Sequence, residues 1–231
     1  MPGLNSFSWP SGAEVHVHST TFSSCSSRSL SPDESRRADQ LVDPNQRKRF
    51  IAGRGFLRET LGTYLQLPPG EIRLETGAHG KPRLADSRCN APFLHFNVSH
   101  SGPLILLAIA VDHEIGIDVE QITTDAPIND MARLAFSLRE QKELSVLHGI
   151  DQLKAFYRCW TRKEAFLKAT GKGFALPSNS FDMSLQPAAT VPCNCPETDA
   201  LWHLHQVSVP GGFCAALAIS EIAPTIQYIS Y

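Results

Sequence analysis

The sequence lacks any long hydrophobic run. Its longest apolar stretch, residues 103–111 ("PLILLAIAV"), has nine residues, whereas a membrane-spanning helix needs about 20. This stretch therefore predicts a buried strand. The N-terminus also lacks a charged start followed by an apolar segment, so the sequence predicts neither a signal peptide nor a membrane anchor.

The chain also has little excess charge. Its 21 basic and 23 acidic residues give a formal net charge of -2, whereas binding to a nucleic-acid backbone needs a basic face. A nucleic-acid partner is therefore not expected. With 231 residues, 42% hydrophobic and 19% charged, the composition is that of an ordinary globular protein with enough chain for one large or two small domains.

Disulfide-type cysteine spacing is absent as well. The six cysteines are scattered, and a chain of this length does not need disulfides to fold, which predicts reduced thiols and a cytoplasmic location. One segment, "CNCPETDALWHLH", offers Cys193, Cys195, His203 and His205 as four zinc ligands. Its C-x-C and H-x-H spacings are unusual for zinc, so a zinc-binding module is the weaker, non-enzymatic alternative.

Hydrophobic periodicity predicts an α+β fold. Helical patterns cover residues 43–67, 128–149 and 152–171, and a further helix begins at Pro32 after a Ser31 cap. Strand patterns cover residues 14–22, 71–76, 94–101, 103–111 and 115–122, followed by a strand-like tail at residues 181–187, 201–210 and 212–220. The order predicts two similar lobes, residues 1–122 and 123–231, each with a small, mostly antiparallel sheet packed with helices.

The strand "GIDVE" carries the first chemical signal. Asp118 and Glu120 are two residues apart and therefore project from the same face, while Ile117 and Val119 point the other way. Two adjacent carboxylates raise each other's pKa unless a cation lies between them, and carboxylates are the ligands that Mg²⁺ prefers. A solvated strand edge is the alternative.

The helix "FYRCWTRKEAFLKATGKG" (residues 156–173) carries the second signal. Glu164 and Lys168 are one turn apart, and Trp160 lies one turn before Glu164. An ordinary intrahelical ion pair would give the same spacing. The large aromatic residue nevertheless indicates that this face is packed, which favours a functional pair.

Polar and basic residues elsewhere add two weaker signals. Ser99 and His100 end the strand "HFNVSHS", and Lys81 lies in the rigid turn "HGKP". Arg54 sits inside an apolar helical pattern, which favours a fixed role such as phosphate binding over a solvated helix face.

Taken in order, "HGKP", "FNVSHS", "GIDVE" and the helix of residues 156–173 resemble the 4'-phosphopantetheinyl transferase superfamily. The helix is similar to that family's signature W-x-x-K-E-A-x-x-K-x-x-G. The chain length resembles the large, surfactin-synthetase-activating type. That resemblance implies a monomeric pseudo-dimer of two lobes in one chain.

The resemblance also implies a reaction. Coenzyme A would donate its 4'-phosphopantetheine group to a serine of an apo acyl carrier or peptidyl carrier protein, releasing 3',5'-adenosine bisphosphate. Mg²⁺, or Mn²⁺ in its place, would be required. Carriers of fatty acid, polyketide and non-ribosomal peptide synthesis all remain open, as does the acceptance of acyl-coenzyme A. A magnesium-dependent phosphohydrolase is the rival enzyme class, because it would use the same carboxylates.

Site residues follow from the same resemblance. Asp118, Glu120 and Glu164 are expected to bind the metal, and Glu164 to act as the general base, directly or through water. Lys168 is expected to neutralise the phosphate and protonate the leaving group, and His100 to join the catalytic set by holding the 3'-phosphate side with Ser99. The expected coenzyme A contacts are Arg37, Arg54, Gly80, Lys81, Pro82, Ser99, His100 and Lys168.

Overall fold

The computed structural model describes residues 8–22, 29–77, 80–85, 93–195, 197–198, 200–220 and 223–231. Within these ranges the fold is α+β, as predicted. The helices are α1 (Pro32–Gln40), α2 (Pro44–Leu65), α3 (Ile128–Ala135), α4 (Leu138–Ser145) and α5 (Gly149–Thr170). The strands are β1 (Glu14–Thr21), β2 (Leu74–Thr76), β3 (Pro82–Leu84), β4 (Leu94–Ser101), β5 (Leu104–Val111), β6 (Ile115–Gln121), β7 (Thr190–Cys193), β8 (Trp202–Gln206), β9 (Phe213–Ile219) and β10 (Thr225–Ser230).

The strands form two four-stranded sheets and one small hairpin. The first sheet has the order β10-β1-β5-β4, in which β1 runs parallel to β10 and antiparallel to β5. The second has the order β6-β9-β8-β7 and is antiparallel throughout. The β2-β3 hairpin stands apart from both sheets.

Sheet membership does not follow the predicted division at residue 122 for two strands. β6 precedes that residue but forms an edge of the second sheet, whereas β10 comes last in the chain and completes the first sheet. Each sheet therefore contains one strand from the other side of residue 122. The lobe boundary and the pseudo-dimer relation stay predictions.

Side chains of β4 join the two sheets at the β4-β6 seam. Asn97, Ser99 and Ser101, alternate residues of β4, accept hydrogen bonds from backbone amides of β6 at 2.9, 3.3 and 3.0 Å. Because each acceptor is matched to one β6 amide, the seam fixes the register of β6 against the end of β4. Sequence analysis did not predict this ladder of side chains.

Helix prediction was wrong at residues 128–149, which form two helices instead of one. The chain leaves helical geometry at Phe136, and Ser137 then caps α4 with a capping box: its hydroxyl accepts from the Glu140 amide and the Glu140 carboxylate accepts from the Ser137 amide. Phe136 is buried and stacks on Phe156 of α5. The local cap and the burial of one aromatic ring therefore override the continuous periodicity.

Two strand predictions also need correction. In residues 71–76, Glu71 ends a 3-10 turn that begins at Pro69, and the strand covers only Leu74–Thr76. Residues 181–187 form no strand, because their carbonyls are used by side chains of α5: Arg158 donates to the Leu185 carbonyl, and Arg162 donates to the Gln186 carbonyl.

None of the helices in the described ranges combines the length and the apolar character needed to cross a lipid bilayer. The cysteines in those ranges are free thiols: Cys159, Cys193, Cys195 and Cys214. Cys25 and Cys89 lie outside the described residues.

A buried ion pair ties α5 to α4. The Lys163 ammonium lies 2.9 Å from a Glu140 carboxylate oxygen, and the two side chains are 2% and 1% exposed. The same ammonium donates to the carbonyls of Ser178 and Phe181 at 2.6 and 2.7 Å. Lys163 therefore has a structural role, although it belongs to the K-E-A motif.

Replacing Lys163 by methionine should lower the free energy of unfolding by about 3–5 kcal/mol at pH 7, because it leaves the Glu140 carboxylate buried without its cation. Chemical denaturation measures this loss. Lys154→Met, at an exposed lysine of the same helix, is the control and should change stability by less than about 0.5 kcal/mol. Equal effects of the two substitutions would contradict the buried pair.

Candidate active site

Strand β6 presents its two carboxylates to helix α5. Ile117 and Val119 are fully buried in the core between the sheets, so Asp118 and Glu120 point to the opposite face. Asp118 is itself 3% exposed. The sequence prediction that the two carboxylates share a face is consistent with this burial pattern.

Helix α5 can reach these carboxylates because residue 116 is glycine. A Cβ atom on Gly116 would lie 2.1 Å from the Ala165 carbonyl oxygen and 2.4 Å from the Ala169 nitrogen. The helix backbone therefore rests directly on the strand backbone. This contact sets Glu164 and Lys168 over the part of β6 that carries Asp118 and Glu120.

Six of the predicted site residues line one cleft at the seam between the sheets. Its volume is about 370 Å³, and its walls are Val98, Ser99, His100, Asp118, Glu120, Trp160, Glu164 and Lys168. Trp160, the aromatic residue noted in the sequence, closes the helix side and stacks on Phe156 with ring centroids 5.7 Å apart. The predicted carboxylates, Ser99, His100 and Lys168 are thus brought together.

Lys168 is paired across the cleft. Its ammonium lies 2.6 Å from Oδ1 of Asp118 and donates to the Ser99 hydroxyl at 3.0 Å. The Ser99 hydroxyl in turn donates to the same Asp118 oxygen at 3.0 Å. The ion pair of Lys168 therefore joins helix to strand, which the one-turn spacing from Glu164 did not predict.

Burial sets the electrostatics of the cleft. It raises the pKa of Asp118 to about 6, although Lys168 opposes the shift and Glu120 and Glu164 add to it. Burial likewise raises the pKa of Glu164, with Lys168 opposing and Glu120 adding. Burial lowers the pKa of His100. The cleft thus holds an excess of carboxylates that is costly without further positive charge.

One acceptor in the cleft has no partner within the described part of the chain. Oδ2 of Asp118 is buried and makes no hydrogen bond there. Such groups are rare in folded proteins, and a catalytic role or a bound water or ion accounts for many of them. Glu120, by contrast, accepts a hydrogen bond from the Ser101 hydroxyl at 2.7 Å. Ser101 was missed, although it repeats the alternation of Asn97 and Ser99.

A second cleft of about 530 Å³ adjoins the first and shares Glu164 and Lys168 with it. Gly80, Lys81 and Pro82 line its other side, so three of the four residues of "HGKP" reach the site. His79, the remaining residue of that motif, lies outside the described residues.

Two of the predicted cationic contacts are not among the residues that line either cleft. Arg37 is exposed on α1, and its guanidinium lies over the Phe50 ring at 5.5 Å. Arg54 on α2 lies 5.9 Å from the same ring centroid and 3.9 Å from a Glu34 carboxylate oxygen. Burial lowers the pKa of Arg54. Both cations belong to a separate patch around Phe50.

The zinc alternative is wrong. Cys193 and Cys195 are buried in the core beside Trp202 and Leu204, whereas His203 and His205 alternate with those two residues on β8 and face the other side of the sheet. In the described ranges no group of three or more His, Cys, Asp or Glu side chains is arranged to hold a metal ion.

Sequence comparisons identify the family. Residues 18–112 match the family model of the N-terminal part of 4'-phosphopantetheinyl transferases, and residues 114–218 match that of the 4'-phosphopantetheinyl transferase superfamily. The two matches meet between β5 and β6.

Named relatives agree with this result. The chain is 39% identical to the 4'-phosphopantetheinyl transferase HetI of Nostoc sp. over 83% of its own length and 78% of HetI. It is 29% identical to the 4'-phosphopantetheinyl transferase Sfp of Bacillus subtilis over 88% of its length and 94% of Sfp. It is 34% identical to the human L-aminoadipate-semialdehyde dehydrogenase-phosphopantetheinyl transferase over 68% of its length and 54% of that protein. The chain therefore belongs to the 4'-phosphopantetheinyl transferase superfamily and is an enzyme of that class.

Proposed function

We propose that the protein transfers the 4'-phosphopantetheine group of coenzyme A to a serine of an apo carrier protein and releases 3',5'-adenosine bisphosphate. The observation that carries this proposal is the cleft in which Asp118, Glu120 and Glu164 lie together with Lys168 and His100. Carboxylates, a cation and a histidine in one cleft suit the transfer of a phosphoryl group from the bridging oxygen of a pyrophosphate to a serine hydroxyl oxygen, for which positioning and charge stabilisation supply most of the catalysis.

His100 and Ser99 are proposed to hold the phosphate groups of coenzyme A at the β4 end of the cleft. The His100 ring packs edge-on against Phe22 with centroids 5.8 Å apart, which fixes its orientation. Gly80 and Pro82 flank the adjoining cleft and are proposed to shape the site of the adenine. Arg37 and Arg54 are proposed as contacts from the patch around Phe50.

Mg²⁺, or Mn²⁺ in its place, is proposed as the metal. Asp118, Glu120 and Glu164 would hold it, since all three supply the oxygen ligands that Mg²⁺ prefers. Their side chains would have to turn toward one another on binding, because no group of three such ligands in the described ranges is already arranged to hold a metal ion. The unpartnered Oδ2 of Asp118 fits such a ligand role. When bound, the metal would neutralise the negative charge of the pyrophosphate. In the protein alone, Lys168 supplies the positive charge beside Asp118.

Glu164 and Lys168 are proposed to carry out the two proton transfers of the reaction. The serine hydroxyl of the carrier attacks the β-phosphorus and loses its proton to Glu164, directly or through a water molecule. Burial raises the pKa of Glu164, which brings this carboxylate closer to the value that suits a general base near neutral pH. Lys168 neutralises the phosphate and donates a proton to the bridging oxygen, which leaves with 3',5'-adenosine bisphosphate as its bond to the β-phosphorus breaks.

The partner is proposed to be an apo acyl carrier or peptidyl carrier protein. The test is incubation of the protein with coenzyme A, Mg²⁺ and a panel of apo carrier proteins, followed by mass spectrometry of the carriers. The expected result is a phosphopantetheine adduct on at least one carrier and none on its Ser→Ala variant. Hydrolysis of coenzyme A without an adduct would favour the phosphohydrolase alternative.

A monomeric state and a cytoplasmic location remain predictions. Light scattering of the purified protein tests the first. A mass of one chain, 25.4 kDa, is expected, and a dimer mass would contradict it.

His100→Ala should weaken the binding of coenzyme A much more than that of 3'-dephospho-coenzyme A, because the second ligand lacks the phosphate that His100 is proposed to contact. An effect of about tenfold on coenzyme A corresponds to one lost charge-assisted hydrogen bond. Titration calorimetry with both ligands measures the difference. His113→Ala, in the turn between β5 and β6, is the control. Equal weakening for both ligands would mean that His100 does not contact the 3'-phosphate.

A further inference from the structure

The side chain of Lys81 is engaged at the end of the catalytic helix. Its ammonium lies 2.7 Å from a Glu114 carboxylate oxygen and donates to the carbonyls of Ile115 and Ala169 at 3.0 and 3.1 Å. An ammonium group has three N–H donors. All three have partners within the protein.

The position of these partners links three elements. Lys81 leads into β3, Ile115 begins β6, and Ala169 lies in the last turn of α5. The aliphatic part of Lys81 also passes the end of the helix, where its Cδ would be 3.8 Å from a Cβ on Gly171. Lys81 therefore connects the β2-β3 hairpin to both elements that carry the carboxylates of the cleft.

A positive charge is favourable at the C-terminal end of helix α5. The last turn of a helix leaves carbonyl groups without intrahelical partners, and the helix dipole makes that end negative. Ala169 follows Lys168 directly, so a contact that fixes the Ala169 carbonyl also restrains the backbone of Lys168. The side chain of Lys81 is only 18% exposed.

Glu114 holds Lys81 in this position. Its other carboxylate oxygen lies 3.3 Å from Nδ1 of His95 on β4. The hydrogen bond with His95, opposed by burial and reinforced by Lys81, lowers the pKa of Glu114 to about 2. The carboxylate is therefore ionised at neutral pH, and it is an unfavourable neighbour for the phosphates of coenzyme A.

We propose that Lys81 is a positioning residue, which fixes the C-terminal turn of α5, and with it Lys168, against β6, and that it does not use its charge on the phosphates of coenzyme A. This role rests on the proposed function and changes the role that the family resemblance implied for Lys81. Gly80 and Pro82 keep their proposed contact with the nucleotide.

The two roles of Lys81 predict different effects of replacing Glu114. If Lys81 binds phosphate, Glu114→Gln removes a competing negative charge and should tighten coenzyme A binding. If Lys81 positions the helix, Glu114→Gln loosens Lys81 and should impair turnover in the same direction as Lys81→Met. The quantity that Glu114→Gln changes therefore distinguishes the two roles: the dissociation constant of coenzyme A for phosphate binding, and kcat for positioning.

The experiment compares Lys81→Met, Glu114→Gln and the double variant with the unmodified protein. Lys81→Met should lower kcat by about tenfold, because misplacement of a catalytic group by about 1 Å can cost up to 100-fold. The dissociation constant of coenzyme A, from calorimetry, should change less than about threefold, which is under 1 kcal/mol. The double variant should be no worse than Lys81→Met, since the two residues act through one contact.

Arg83→Met is the matched control. Arg83 lies two residues from Lys81 on β3, but its ion pair is with exposed Glu75 of the same hairpin. This variant removes the same charge without touching α5 and should keep normal turnover. If Arg83→Met lowers kcat as much as Lys81→Met, the loss is a charge effect and the proposal is overturned. Weaker coenzyme A binding in Lys81→Met with unchanged kcat would overturn it as well.

Melting temperatures separate this proposal from the proposed function. They are measured without substrate, and Lys81→Met and Glu114→Gln should each lower the melting temperature by a few degrees, with a combined loss smaller than the sum. Additive losses would overturn the positioning contact. Absence of carrier modification by the unmodified protein would instead overturn the proposed function.

Discussion

Glu164→Gln should lower turnover by about 100-fold or more at saturating Mg²⁺, the lower range of what removal of a general base costs. The substitution keeps the size of the side chain and one oxygen atom but removes the negative charge and the basicity. Because Glu164 lines the same cleft as Asp118 and Glu120, the metal should also bind more weakly. Steady-state kinetics over a range of Mg²⁺ concentrations separates the two losses.

Lys168 variants complete this experiment. Lys168→Ala should lower turnover yet bind Mg²⁺ at least as tightly as the unmodified protein, because its ammonium contacts Asp118 in the protein alone. Lys168→Arg should recover part of the rate, since the charge survives while the group becomes a very weak proton donor. Glu143→Gln, on the surface of α4, is the control for the loss of a glutamate charge.

Two results would contradict these assignments. Full recovery of Glu164→Gln in excess Mg²⁺ would make Glu164 a metal ligand and not the base. Normal turnover of Lys168→Ala would show that the ion pair between Lys168 and Asp118 has only a structural role.

Local patterns in the sequence predicted the elements that carry the site. The alternation in "GIDVE" is sufficient to place Asp118 and Glu120 on one face, because strand geometry fixes side-chain direction over two residues. The uniform apolar run of residues 103–111 likewise predicted β5, which is buried along its whole length. Helix α2 ends at Leu65, two residues before the end at residue 67 that its periodicity and the following prolines predicted.

Features that depend on distant partners could not be predicted in this way. The parallel pairing of β10 with β1 joins residues more than 200 positions apart, such as Glu14 and Thr225. Lys168 has Glu164 one turn away in the sequence but pairs with Asp118 on another element. The family resemblance implied that Lys81 contacts a phosphate of coenzyme A. Only the fold shows that the N–H donors of Lys81 are used by Glu114 and two backbone carbonyls. The spacing of residues in the sequence predicts the direction of a side chain. It does not predict which group from another element the side chain contacts.

Gly116→Ala should cause the largest combined loss of stability and activity, because the new methyl group has no space. Its Cβ would lie 2.1 Å from the Ala165 carbonyl oxygen and 2.9 Å from the Ala169 Cα, and these are backbone atoms that no side-chain rotation can move. Helix α5 and strand β6 must therefore separate. Overpacking of this kind, which forces the backbone to shift, costs about 1–3 kcal/mol and occasionally more.

The separation should also lower turnover by about 100-fold, since Glu164 and Lys168 would move by about 1 Å from Asp118 and Glu120. Gly211→Ala is the matched control, because a Cβ there meets nothing within 4 Å, and it should leave melting temperature and turnover unchanged. Adding Ala165→Gly should not rescue Gly116→Ala, because the clash is with the carbonyl oxygen of residue 165 and not with its methyl group. A Gly116→Ala protein with normal melting temperature and turnover would show that α5 does not rest on β6 at this point, and the placement of the whole cleft would then be wrong.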